Sequence, residues 1–389
     1  MIYLDHNATT PLDDEAKKAL TDAYGYFGNP SSSHSLGMAA KALVETSRQQ
    51  IGNLIGSKSS EIIFTSGGTE SNNLAIIGTA YKYKKGHIIT SIIEHPSVVS
   101  PLRWLQKNGF EATYLHVDSH GRLDPEDVRK NIRTDTILIT IMHSNNETGV
   151  LQPIHEIGMI SREYGIAFHS DAAQSIGKLD MNVAVLPVDM MTIVSHKLYG
   201  PKGVGALYIR DLENQMPHAD QEESLSYSTS LAPHPILFGA GHERGLRPGT
   251  ENVICICGFG KACEVASREM LSRYDHTFNL REMFFALLKD KLVVSLNGHE
   301  TLRLPNTLNI SIKGIIAEDL IVKLQGEIAF SAGSACHAGI RKPSPVLKAM
   351  GLSDTEALSS IRLSVGKDNS ITEIRSASEM LSKTIKSLR

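Results

Sequence analysis

Short apolar runs alternate with amphipathic stretches from about residue 60 onward. Residues 61–65 (EIIFT) predict a short buried strand, and residues 69–85 a helix with Leu74, Ile77 and Tyr81 on one face. Residues 87–93 (HIITSII) predict a second strand, with a helix over 96–107 and a strand-like run over 111–117 behind it. Asp124 followed by Pro125, Glu126 and Asp127 joins a capping aspartate, a proline in the first position and acids in the first turn, so a helix begins there. Residues 136–142 (TILITIM) are continuously apolar and β-rich, as in a strand buried on both faces. A helix through Ile157 and Ile160 then leads to a strand over 166–169. Strand–helix alternation of this length predicts an α/β fold: a mostly parallel central sheet with helices on both sides.

The alternation ends near residue 210. Residues 211–235 are rich in Gln, Glu, Ser, His and Pro and predict a long surface loop. Beyond residue 250 the pattern changes to longer helices over about 253–292, shorter strands over 307–312 and 329–331, and a final helix. This predicts a second, smaller α+β domain, which suits a chain of 389 residues. Composition adds only exclusions. A formal net charge of -3 asks for no nucleic-acid partner. No apolar run approaches the roughly 18–20 residues that span a bilayer. The N-terminal MIYLDHNATTP lacks the basic and apolar regions of a secretory signal. Four cysteines are too few for a disulfide framework, so a reducing, cytoplasmic setting is expected. Cys255, Cys257 and Cys263 lie in an apolar helical stretch without a His or Cys partner at finger-like spacing, so core packing is expected and no metal.

Three segments carry chemistry. Thr65-Ser66-Gly67-Gly68-Thr69-Glu70 follows a strand and opens a helix; glycines admit a close ligand, and the helix N-terminus offers unpaired N–H groups. A phosphate cradle and an ordinary glycine-rich turn both fit it. Asp171 lies at the end of one apolar strand and Lys197 beyond another, at the sheet edge where ligands of open α/β sheets bind. Such a pair meets the needs of pyridoxal phosphate. The lysine forms the Schiff base and the carboxylate keeps the pyridine nitrogen protonated. An ordinary ion pair is the plainer alternative.

The motifs together resemble the cysteine desulfurases of the NifS/IscS type, in the class-V aminotransferase group of fold-type I pyridoxal phosphate enzymes. They run in order along the chain: YLDHNATTP at 3–11, GNPSSSHSLG at 28–37, FTSGGTESNNLAI at 64–76, EHPSV at 94–98, NNETGVLQPI at 145–154, HSDAAQSIGK at 169–178, SHKLYGPKGVGALYIR at 195–210, GHERGLRPGTENV at 241–253, SAGSACHAG at 331–339 and SSIRLSVGK at 359–367. The resemblance implies a large cofactor-binding domain over 16–250 and a small domain formed by 1–15 and 251–389. It implies that Lys197 carries the cofactor and shuttles a proton. Asp171 would meet the pyridine nitrogen, Gln174 the ring hydroxyl and His95 the ring face. Gly68, Thr69, Ser195 and His196 would hold the phosphate, and Thr250 would reach the phosphate of a partner subunit in a homodimer. Asn146 and Arg362 would bind the carboxylate of L-cysteine, where a guanidinium fork suits a two-oxygen contact. Cys336 would accept the sulfur as a persulfide and pass it to a protein acceptor, leaving alanine.

The residues around Cys336 suit that role. Apart from His337 they are all small, which predicts a flexible, accessible loop, and a thiolate favoured by His337 or His95 would be the reactive form. Two departures from the family pattern stand out. Val194 occupies the place, three residues before the lysine, where a Ser or Thr usually donates to the phosphate; Ser195 or Thr192 would have to substitute. The 211–235 stretch is longer than in housekeeping relatives, and either covers the entrance, docks a partner, or is a tolerated insertion. Two other functions remain open. The segments at 237–250, 302–311 and 336–347 also resemble selenocysteine lyases. A non-catalytic scaffold is disfavoured because Lys197, Asp171 and Cys336 are all present.

Overall fold

The computed structural model describes residues 1–212, 231–332 and 342–389. The chain opens on a two-residue strand, β1 (Ile2–Tyr3), and two helices, α1 (Asp14–Ala23) and α2 (Ser35–Ile55). Strands β2 (Ile62–Thr65), β3 (His87–Ser91), β4 (Glu111–Leu115), β5 (Thr136–Thr140), β6 (Ala167–Asp171), β7 (Met190–Val194) and β8 (Gly205–Ile209) then build one seven-stranded sheet in the order β2-β8-β7-β6-β5-β3-β4. All neighbours run parallel except β8, which is antiparallel to both β2 and β7. The crossovers are helices α3 (Gly68–Ala80), α4 (Pro96–Lys107), α5 (Pro125–Asn131) and α6 (Ile154–Tyr164). Asp124 caps α5 through Glu126 N–H, with Pro125 in the first turn, as its sequence dictates.

A second layer follows. Helix α7 (Val253–Lys291) is one unbroken helix of 39 residues, not several. Its first half packs with α1 and α2 in the large core, through Phe259, Ala262 and Cys263. Its second half enters a separate core through Leu280, Phe284 and Leu288. That core surrounds a four-stranded antiparallel sheet, order β12-β13-β10-β9, of β9 (Val294–Leu296), β10 (Thr307–Ile312), β12 (Ser331–Ala332) and β13 (Ser360–Ser364). Strand β1 pairs in parallel with β11 (Ile328–Ala329), so the N-terminus joins this second core through Leu4.

Two expectations need correcting. Helix α3 ends at Ala80, not near residue 85, and has no single apolar face. Leu74 is buried, but Ile77 is only half-buried and Tyr81 lies beyond the end with its ring exposed. The cause is its setting: α3 is packed between the sheet and α4, so its small residues Ser71, Ala75, Gly78 and Ala80 are buried on every side and leave no stripe to read. The surface loop expected over 211–235 lies outside the described residues for 213–230. Its end is not a surface loop: Ala232 is buried, Leu231 and Ile236 pack on the α3 side of the core, and His234 N–H donates to the Gly78 carbonyl at 2.9 Å. Glycine at 78 permits that approach, because a Cβ there would run into the His234 backbone.

Candidate active site

The parallel strands end along one edge of the sheet, and the residues that follow them enclose a cavity of about 580 Å³. After β2 come Gly68 and Thr69; after β3, His95 and Ser97; after β5, Asn146 and Glu147; from β6, Asp171 and Gln174; from β7, Val194, His196 and Lys197. The second core closes the cavity with Ile321, Phe330, Ser331 and Arg362, and the N-terminal strand adds Asn7 and Ala8.

Asp171 is the last residue of β6, 8% exposed at the cavity wall. Its Oδ1 accepts from Ala173 N–H at 2.9 Å and its Oδ2 from Asn72 Nδ2 at 2.7 Å. The other hydrogen of the Asn72 amide goes to Ser97 Oγ at 2.8 Å, and Ser97 Oγ meets His95 Nδ1 at 2.7 Å. His95 is the N-cap of α4, and its Nδ1 also accepts from Ser97 N–H at 3.1 Å. A nitrogen that accepts a backbone N–H carries no proton, so the neutral ring bears its hydrogen on Nε2. Burial, with Lys197 nearby, holds the His95 pKa below the usual histidine value, although Asp171 works the other way.

Lys197 lies in the short turn after β7. Its Nζ donates to the carbonyls of Asn7 and Ala8 at 2.5 and 2.8 Å. Burial, then the positive charge of Arg362, lower its pKa to about 8, against the opposing pull of Asp171 and Asp5. Gln174 donates from Nε2 to the same Asn7 carbonyl at 2.9 Å. The buried amine of Lys178 donates to the Gln174 carbonyl at 2.8 Å, and burial takes its pKa to about 7. Asn7 is thereby a hub. Besides its carbonyl, its Nδ2 donates to Thr307 Oγ1 at 2.8 Å and its Oδ1 accepts from Asn306 at 3.1 Å.

Helix α3 opens on Gly67, with φ of 146° and no side-chain cap. Nothing lies within 4 Å of where a Cβ on Gly67 would stand. A smaller hollow of about 290 Å³ continues from this helix end, lined by Ser66, Thr69, His196 and Lys202 among others. His196 Nδ1 meets Thr9 Oγ1 at 3.2 Å, and burial together with Lys197 and Lys202 takes its pKa to about 4. Open backbone donors, a helix dipole and a nearby lysine suit a phosphate. The buried carboxylate and the lysine of depressed pKa suit a protonated ring nitrogen and an aldehyde, so the residues present fit pyridoxal phosphate.

The sequence-predicted residues Gly68, Thr69, His95, Asn146, Asp171, Gln174, His196, Lys197 and Arg362 all line this one cavity. Ser195 does not: it is fully buried, its Oγ lies against Gly200, and that oxygen has no partner. Thr250 is exposed and away from the cavity, in the segment whose Arg247 pairs with Glu70 of α3 at 3.0 Å. Cys336, with its neighbour His337, lies outside the described residues. Sequence reasoning missed Asp5, Asn7, Asn72, Ser97 and Glu147. Asn72 had one usable signal, its place as a polar residue one turn after the glycine cradle.

Among the described residues no group of His, Cys, Asp and Glu is arranged to hold a metal ion, and no helix is long and apolar enough to cross a membrane. The chain matches the aminotransferase class-V family over residues 2–376. It is 43% identical to the cysteine desulfurase IscS of Dictyoglomus turgidum over 393 aligned positions, covering 100% of this chain and 95% of that protein. Among solved structures, a NifS-like protein superposes with a TM-score of 0.88 at 33% identity, covering 99% of each chain. A structure described as SspA in complex with cysteine superposes with a TM-score of 0.80 at 35% identity, covering 94% of this chain and 99% of that one.

Proposed function

The chain belongs to the class-V aminotransferase family, and we propose that it works as a pyridoxal phosphate-dependent cysteine desulfurase whose own Cys336 receives the sulfur. The observation that carries this reading is one cavity holding Lys197, the buried Asp171, the uncapped end of α3 and Arg362, in a chain alike over its whole length to named desulfurases.

The cofactor, when bound, supplies an electron sink for the negative charge left on carbon as the C–S bond breaks. This chain's residues do the rest. Lys197, with a pKa of about 8, offers a neutral amine for attachment and afterwards moves a proton. Asp171, held by Asn72 and Ala173, keeps the ring nitrogen protonated. His95 presents Nε2–H towards the cavity because Ser97 fixes Nδ1 as an acceptor. Arg362 and Asn146 take the substrate carboxylate. The Cys336 thiolate attacks the substrate Sγ: an S–S bond forms, the C–S bond breaks, and the carbon takes a proton to give alanine. The persulfide then goes to a protein acceptor. A homodimer, with Thr250 serving the partner's phosphate, and a cytoplasmic location complete the reading. The division into 16–250 and 1–15 with 251–389 stays with it, α7 contributing to both cores.

The test is incubation of the holoenzyme with L-cysteine and mass measurement of the peptide bearing Cys336. One added sulfur is expected. Cys336→Ala should keep the yellow colour and cysteine binding yet form no persulfide; alanine release by that variant at the normal rate would refute the nucleophile. Brisk release from selenocysteine with almost none from cysteine would favour the lyase.

A further inference from the structure

Arg362 has five N–H donors, and most are already committed. One Nη1 hydrogen goes to the carbonyl of Asn146 at 2.9 Å. Both Nη2 hydrogens are used, on Asp5 Oδ1 at 2.7 Å and Ser331 Oγ at 3.1 Å. Nε is sealed from solvent with no partner. One Nη1 hydrogen therefore remains. A bidentate grip on a carboxylate takes two neighbouring donors of the fork. The fork is not free for a substrate, because the chain's own carboxylate holds it.

Asp5 is fixed in that place. Its backbone bridges Ser364, two residues along the strand that carries Arg362. Its Oδ1 also accepts from Ser331 Oγ at 2.8 Å, so Asp5, Ser331 and Arg362 form a closed triangle, of which Ser331 and Arg362 line the cavity. The arrangement has a physical reason. Arg362 is only 8% exposed and shares the cavity with the amine of Lys197. A buried cation without a counter-ion is strongly unfavourable, and Asp5 supplies one until a ligand brings its own.

We propose that Asp5 is a built-in competitor of the substrate: its carboxylate stands on Arg362 in place of the substrate α-carboxylate, and an amino acid binds by exchanging one carboxylate for the other. This rests on the reading of Arg362 as the partner of the substrate carboxylate. An amine that carries a carboxylate completes the exchange, because it restores the neutralised fork. An amine without one leaves the Asp5–Arg362 pair as it is and gains nothing from the fork. Asp5 thus keeps the buried cation neutralised between ligands, at some loss of affinity for the amino acids that must displace it and none for simple amines.

Asp5→Asn in the holoenzyme tests this. The variant keeps the shape but weakens the competitor, so the KM for L-cysteine and the Kd for L-alanine, read from the absorbance of the bound cofactor, should fall roughly three- to tenfold. The Kd for cysteamine, which has no carboxylate, should not fall with them. An unchanged or higher Kd for L-alanine overturns the proposal, as does equal tightening of cysteamine. Ser331→Ala removes another occupant of Nη2 and should shift L-alanine in the same direction by less. It carries the test if Asp5→Asn fails to hold cofactor, and a higher L-alanine Kd there overturns the proposal. Arg362→Gln separates the two readings. If it leaves the L-alanine Kd unchanged, the role given to Arg362 fails. If it weakens L-alanine while Asp5→Asn does not tighten it, the exchange alone fails.

Discussion

Val194 sits where a phosphate donor would be most useful. It is the last residue of β7, lines the cavity, and is 3% exposed. Its Cγ2 lies 2.7 Å from the position of a Cβ on Gly68, so the side chain faces the open end of α3. Neither neighbouring hydroxyl replaces the missing one. Thr192 Oγ1 is engaged by His169 Nε2 at 3.0 Å, and Ser195 Oγ lies against Gly200, outside the cavity lining. Val194→Ser therefore places a new hydroxyl at the cradle. A hydrogen bond to a charged group is worth about 1.5–3 kcal/mol, so cofactor affinity should rise roughly ten- to a hundredfold. The lost methyl groups cost about 1–2 kcal/mol of apoprotein stability, which appears in denaturant unfolding and not in the cofactor Kd. The assay is titration of apoprotein with pyridoxal phosphate, followed by absorbance, for wild type, Val194→Ser and Val194→Ala. The alanine variant separates relief of bulk from the hydroxyl. Equal tightening by Ser and Ala, or no tightening by Ser, refutes the reasoning.

Two further predictions follow from charges the fold has buried. Lys197, buried and facing Arg362, titrates near pH 8, whereas a free lysine titrates at 10.5. The neutral amine attacks the aldehyde, so the rate of cofactor capture by apoprotein should rise with pH to a midpoint near 8 and then level off. Burial, the larger cause of the shift, stays in Arg362→Gln, but the second cause, the positive charge, is removed, so the midpoint should move upward in part; a midpoint unchanged by that substitution would exclude the electrostatic cause. Between pH 8 and 10.5 the unfolded chain binds more protons at this lysine than the folded one, so its contribution makes the apoprotein more stable as pH rises through that window. The second prediction concerns Arg48 and Glu243, whose side chains are 6% and 2% exposed and pair at 2.7 Å. Glu243 Oε2 also accepts from Phe64 N–H at 2.7 Å, tying the 243–250 segment to β2. Glu243→Gln leaves the buried Arg48 cation with only the exposed Glu45 carboxylate, at 3.2 Å, as counter-ion, at a cost of about 3 kcal/mol in urea unfolding, the low end for a broken buried pair. A loss below about 1 kcal/mol would mean that water reaches the pair.

Strands β2 to β6 were legible because each carries its own local signal; β8 was not legible as a strand, and α3 was legible only near its start. Residues 136–142 are apolar apart from Thr136 and Thr140, and the strand is buried on both faces. Asp171 and Lys197 were legible for the same reason, one at the end of its strand and the other a short turn beyond. Strand β13 was not. Its sequence, SIRLS, places Ser360, Arg362 and Ser364 on one face, which reads as solvent-facing, yet all of them are buried. Ser360 meets Ser311 Oγ at 2.8 Å and Arg362 pairs with Asp5, so the polar face is satisfied by partners 49 and 357 residues away. Asn7 and Asp5 escaped notice likewise: the bond from Lys197 to the Asn7 carbonyl spans 190 residues and leaves no mark on either local pattern. Helix α2 did carry a signal, with Ala40, Val44, Ile51 and Ile55 buried at helical spacing.

Direction of the strands explains why the chemistry gathers where it does. Parallel strands all finish on one edge, so the turns after β2, β3, β5, β6 and β7 face the same space, and each delivers a cavity residue. Strand β8 is the control within the same sheet. It runs the other way between β2 and β7, its C-terminal end lies at the opposite edge, and none of its residues lines the cavity. On the proposed reading the large sheet supplies the residues for the cofactor ring, its phosphate and the lysine, and the other core supplies the guanidinium for the substrate carboxylate. Arg362 comes from the other core, and its position depends on Asn146 on one side and Asp5 on the other. Asn146 belongs to the turn after β5, and Asp5 follows a strand paired with β11. The end of the cavity proposed to take the substrate is therefore built across the two cores, and a change that shifts one against the other should alter KM before it alters cofactor binding.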